Sequence, residues 1–107
     1  MIPQSIIDEA ARRILAATPK GSRVILFGSY ARGEAREGSD LDFLVIEPEL
    51  QDRHKEAYRL VREIKPLRLP VDLLVASEKA FQQWATSPCN VIHEAAQYGR
   101  VYQDDVA

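Results

Sequence analysis

Three aspartates and one glycine–serine step are the residues of this chain best suited to chemistry. Asp40-Leu41-Asp42 opens an apolar run that continues to Ile46. Side chains alternate faces along a strand, so the two acids point the same way, about 6–7 Å apart at the backbone, with tips that can converge on one cation. Hard divalent cations such as Mg²⁺ take oxygen ligands of this kind, commonly one or two carboxylates together with substrate phosphates. Asp72 opens a second apolar run, Val71-Asp72-Leu73-Leu74-Val75, where a charge is costly unless it is paired or metal-bound. Upstream, the apolar stretch Val24 to Phe27 breaks at Gly28-Ser29. A glycine lets backbone approach a ligand closely, and the serine is expected to cap the following helix, whose first N–H groups can hold an anion. Alone, Asp-x-Asp describes many solvated strand ends and Gly-Ser many turns. Together, each part following its proper element at a fixed offset, they read as a phosphate cradle beside a metal-ligand pair.

The text Gly28-Ser29-Tyr30-Ala31-Arg32-Gly33-Glu34-Ala35-Arg36-Glu37-Gly38-Ser39-Asp40-Leu41-Asp42, with Asp72 on a later strand, resembles the nucleotidyltransferase superfamily that includes DNA polymerase beta. Within it, the pattern is similar to the minimal nucleotidyltransferases (MNT proteins), a family little larger than this chain. The resemblance implies that Asp40, Asp42 and Asp72 ligate two Mg²⁺ ions, with Asp40 and Asp42 bridging both. It implies that Gly28 and Ser29 hold the β- and γ-phosphates of ATP as pyrophosphate leaves. It further implies an acceptor: members of this branch transfer AMP to a tyrosine of a HEPN-domain ribonuclease toxin and act as its antitoxin. The HEPN signature, an Arg followed four to six residues later by His, is missing upstream of both His54 and His93, so the chain reads as the antitoxin half. Three other readings stand beside this one. One is an antitoxin that neutralises by binding alone; another is a nucleotidyltransferase of small molecules, which needs a further domain to grip its acceptor; the third, a nucleic-acid polymerase or tRNA-end enzyme, is disfavoured by the acidic balance and short length.

Composition narrows the field. The chain has 107 residues, 46% apolar and 28% charged, with a net charge of −2 and a pI near 5.7. That is the profile of a single globular domain, residues 1–107, rather than of a bulk nucleic-acid binder. A single cysteine, Cys89, excludes an internal disulfide, fits a reducing compartment and is expected as a small core residue. With no membrane-length apolar run and no signal-peptide pattern, the expected location is cytoplasmic, with no membrane and no direct nucleic-acid partner.

The elements that must position these residues follow from periodicity. Pro3 to Ala17 reads as an amphipathic helix with Ser5-x-x-Asp8 as its capping pair and Ile6, Ile7, Ala10, Ile14 and Leu15 as its buried face. The strand at Val24 is apolar on both faces, as a central strand should be. Arg32 and Arg36, four apart, would share a face if helical; they are solubilising or touch the triphosphate. After a strand from Asp40 to Ile46, Asp52 to Lys65 reads as a helix with Ala57, Leu60, Val61 and Ile64 inward and a basic outer face. Strand Val71 to Ala76 leads to a Ser77-capped helix over Glu78 to Ala85 that buries Phe81 and Trp84. A last helix, capped by Asn90 or Ser87, turns Val91, Ile92, Ala95 and Ala96 inward, stops at Gly99, and leaves Val101-Tyr102 as an edge strand. The expected fold is α/β: a small mixed twisted sheet of three to four strands, helices mainly on one face, acids at the rim of the other.

Overall fold

Arg23-Val24-Ile25-Leu26-Phe27 forms the inner strand of the fold, its last four residues buried. A strand apolar on both faces must be covered on both faces, and the rest of the chain does this. The computed structural model describes residues 1–87 and 90–104. In chain order its elements are α1 (Gln4–Ala16), β1 (Arg23–Phe27), α2 (Gly28–Arg32), β2 (Leu41–Glu47), α3 (Arg53–Ile64), a 3₁₀ turn (Lys65–Leu67), β3 (Val71–Ser77), α4 (Glu78–Trp84), α5 (Val91–Tyr98) and β4 (Arg100–Gln103). The sheet order is β3-β2-β1-β4. β1 runs antiparallel to β2 and β4, and β2 and β3 are parallel, so the sheet is mixed and four-stranded.

Alternation of side chains divides the core in two. Val24, Leu26, Leu41, Phe43 and Val45 face α1 and α3, meeting Ile7, Ile14, Leu60 and Ile64. Ile25, Phe27, Leu44 and Ile46 face the other way, onto Phe81 of α4 and Ala95 of α5. The two longest helices do share one face, as expected. The opposite face, expected to stay open to nucleotide, is partly roofed by the two short helices. The reason is that β1 and β2 carry large apolar side chains on both faces, and burying each is worth about 1.5–3 kcal/mol.

Caps and faces follow the expectation unevenly. Asp52 accepts from the N–H groups of His54 and Lys55, Ser77 from Ala80 and Asn90 from His93, each such cap contributing about 1 kcal/mol. The Ser5/Asp8 pair does not cap α1: Pro3 takes the N-cap position without a side-chain bond, and Asp8 instead accepts from Tyr102 Oη at 2.7 Å. Ala11 joins the buried face of α1 while Ile6 is only partly covered. Val61, Trp84, Val91 and Ala96, expected inside, lie outside. Their helices bury only Leu60 and Ile64 of α3, Phe81 of α4 and Ala95 of α5, so about one residue per turn reaches the core. Arg32 and Arg36 share no helix face, because Gly33 at φ 73° ends α2 between them. Gly99 does follow the last helix, but with extended dihedrals. A Cβ there would strike Ile25 and the Ala95 carbonyl, so it serves close packing of α5 on β1. Cys89 lies outside the described residues.

Candidate active site

The register of the sheet does what spacing alone could only suggest. Asp42 is the partner of Asp72 across the parallel β2–β3 pair, and on its other side it is the partner of Phe27. Gly28 directly follows Phe27, so α2 begins against Asp42. Gly28 sits at φ +75°, and a Cβ on it would run into the Asp42 carboxylate. Only glycine satisfies both the left-handed dihedral and the close approach. Gly28→Ala is therefore expected to cost about 1–2 kcal/mol in urea unfolding and to weaken whatever this corner binds; an unchanged midpoint would show the fit to be loose.

Asp42 is half-buried, whereas Asp40 and Asp72 are exposed. Burial first, then the carboxylates of Asp72, Asp40 and Glu94, push the Asp42 carboxyl above its usual range, and Arg32 acts in the opposite sense. This is the repulsion that three acids gathered at one corner should show. Several details depart from the sequence reading. β2 begins at Leu41, so Asp40 precedes the strand. Asp72 lies on the edge strand in contact with water, so its charge bears no burial cost. Ser29 stands inside the first turn of α2, whose N-cap is Phe27 with no side-chain bond. Among the described residues no three acid, histidine or cysteine side chains close on one point to within reach of an ion.

Glu94 is the residue that reading by spacing missed. It sits one turn into α5, far along the chain, and only the packing of α5 on β1 brings it to the acids. There it pairs with Arg32 at 2.9 Å. A second group without a sequence signal lies at the far end of β2. Glu47 is buried at 3% exposure, and its Oε2 has no partner among the described residues. Burial and the neighbouring Glu56 push Glu47 up to about 8, while Arg59 and Glu47 pull Glu56 down to about 2. Arg59 clamps Glu56 through Nε and Nη2 and also bonds the Ala17 carbonyl. His54 is exposed, and His93 Nδ1 lies 2.7 Å from the Ala85 carbonyl as a packing contact. The basic outer face of α3 is solvated, as expected.

The geometry defines a class: a small mixed-sheet α/β domain with an aspartate pair in register beside a left-handed glycine turn. The nucleotidyltransferase domain model matches residues 7–99, and the chain belongs to that family. Two predicted protein adenylyltransferases of Methanocaldococcus jannaschii are similar to it, at 51% identity over 38% of this chain and at 40% over 53%. Those matches span 28% and 57% of the relatives' own lengths. Among solved structures, a toxin–antitoxin complex with AMP-PNP aligns over 97% of this chain and 76% of its counterpart, at TM-score 0.54 and 25% identity. A complex of tri-AMPylated Shewanella oneidensis HEPN toxin with an MNT antitoxin aligns over 94% and 72%, at TM-score 0.56. At 22% identity that second likeness shows the fold alone. No helix among the described residues is long and apolar enough to cross a membrane.

Proposed function

We propose that the chain transfers AMP from ATP to a hydroxyl, a tyrosine by preference, on a cognate HEPN toxin, and acts as its antitoxin. The observation that carries this reading is the Asp42–Asp72 register beside Gly28. It sets a half-buried acid, a solvent-facing acid and a close-approach glycine at one corner of the sheet. Asp40, Asp42 and Asp72 are the side chains that would hold a pair of Mg²⁺ ions, which when bound would supply charge neutralisation at the transferring phosphate. The donor set is all oxygen, as that cation requires, and the raised carboxyl of Asp42 is one that a cation would settle.

The chain's own residues then have distinct tasks. Gly28 lets backbone approach the β- and γ-phosphates, and the first-turn N–H groups and the Ser29 hydroxyl are the donors to them. Asp72, on the edge strand, faces solvent and is reachable by a hydroxyl carried on another protein. The acceptor oxygen attacks the α-phosphorus, the bond from that phosphorus to the bridging oxygen breaks, and pyrophosphate leaves. Asp72 is placed to accept the hydroxyl proton. Positioning and charge, not covalent intermediates, do the catalysis.

The test is to incubate the chain with Mg²⁺-ATP and a candidate cognate HEPN protein, and to weigh both. An added AMP on the partner, absent without Mg²⁺, is expected. Neutralisation with no adduct would favour the binding-only reading. Separately, Mg²⁺-ATP at ten times its Kd should add about 1.4 kcal/mol of stability by mass action, raising Tm by several degrees. Asp40→Asn should blunt that rise, and an equal rise in the variant would count against the acids as ligands.

A further inference from the structure

The ion pair joining α2 to α5 has no packing task that would require charge. Arg32 is the last residue of α2, and its guanidinium is bonded on two sides: Nε to Glu34 Oε1 at 2.6 Å and Nη1 to Glu94 Oε1 at 2.9 Å. Among the described residues Nη2 has no acceptor, and the side chain is 41% exposed. Arg32 and Glu94 both lie close enough to Asp42 for the charges to act on one another. Glu94 is itself held firmly. Asn90 caps its helix, His93 ties that helix to the Ala85 carbonyl, and Gly99 brings it against Ile25 of β1.

A fourth carboxylate beside three aspartates works against binding a triphosphate. Its presence needs a purpose, and its partner suggests one. We propose that Glu94 is a positioning residue, holding the Arg32 guanidinium at the acid corner so that its remaining N–H donors take the terminal phosphates of the nucleotide. Resting on the nucleotidyl-transfer reading above, this assigns Arg32 to phosphate contact and gives Glu94 a role that acts only through it. A guanidinium clamped along two edges keeps its fork aimed and gives up little rotamer freedom when phosphate arrives. Glu34 lies two residues from Arg32 on the loop after Gly33, so Glu94 is the contact that ties the arginine to another element.

The experiment is a double-mutant cycle on the Kd of Mg²⁺-ATP, measured by titration calorimetry on the full chain, with circular dichroism to confirm folding. Arg32→Ala is expected to weaken binding about tenfold, and Arg32→Lys to recover part of that, since charge returns without the fork. Glu94→Gln should weaken binding about threefold. In the Arg32→Ala background, Glu94→Gln should change nothing further, because its effect runs through the arginine. Tighter binding by Glu94→Gln would mean that Glu94 merely repels nucleotide, and additive losses would mean that it acts independently; either overturns the proposal. A wild-type chain that binds no Mg²⁺-ATP sinks the transfer reading itself, a different failure from a wild type that binds while Arg32→Ala binds equally well.

Discussion

Asp42→Asn should lower the rate of AMP transfer by about a thousandfold or more, roughly 4 kcal/mol of transition-state stabilisation, while the folded chain loses no stability. The two halves of this expectation have one cause. Asp42 is the half-buried member of the trio, and burial with the charges of Asp72, Asp40 and Glu94 raises its carboxyl above the usual range. A raised folded value means that the folded state holds the proton longer than the unfolded chain does. Stability contributed by this group is therefore present at low pH and lost as pH rises through the folded value. The ionised form is the one that burial and the neighbouring acids disfavour, and the amide removes that charge along with the ligand. Transfer measured by partner mass, and Tm in chelator-treated buffer, should move oppositely or leave Tm level. If Asp42→Asn unfolds the chain, the acid is structural. If it neutralises the toxin in cells as well as the wild type does, the antitoxin works by binding.

Glu47→Gln should flatten a pH dependence that the wild type shows strongly. Glu47 titrates near 8 in the folded chain against about 4.3 in an unfolded one, so between those values the folded state carries the extra proton and stability falls with rising pH. Its partner has the opposite sign: with a folded value near 2, Glu56 adds stability as pH rises toward 4 and adds no more above it. The pair together should give a maximum near pH 4–5, followed by a progressive loss as pH rises to 8.5. In the variant an amide donates to Glu56 at every pH, so urea midpoints should hold level from pH 5 to 8.5 and exceed the wild type at the top. A wild-type curve flat over this range would mean that Glu47 does not hold its proton. Because Arg59 links Glu56 to the Ala17 carbonyl, the loss should be felt first where α1 and α3 meet.

How much of this was legible in the sequence depends on range. Apolar patterns placed the four strands and the four longer helices within a residue or two, because burying an apolar stripe is a local demand that any sheet or helix must meet, but not the bounds of α2 or the 3₁₀ turn at Lys65–Leu67. The acids and the glycine turn were legible for the same reason: Asp40, Asp42 and Gly28 sit at the ends of apolar runs, where a polar residue stands out. What lay inside or outside was less so. Trp84 and Val91 are apolar but exposed, since periodicity says which residues share a face and not whether a neighbour covers it.

The residues of the chain determined three things alone: an α/β mixture, an inner strand apolar on both faces, and a corner where carboxylates follow a glycine. Tertiary structure decided the rest. It paired Asp42 with Asp72 through a parallel register, carried Glu94 from a distant helix to Arg32, and buried Glu47 against Glu56. Local sequence encodes the energy of burying a face, whereas these contacts depend on how two faces meet, a sum over the whole fold that no single stretch contains.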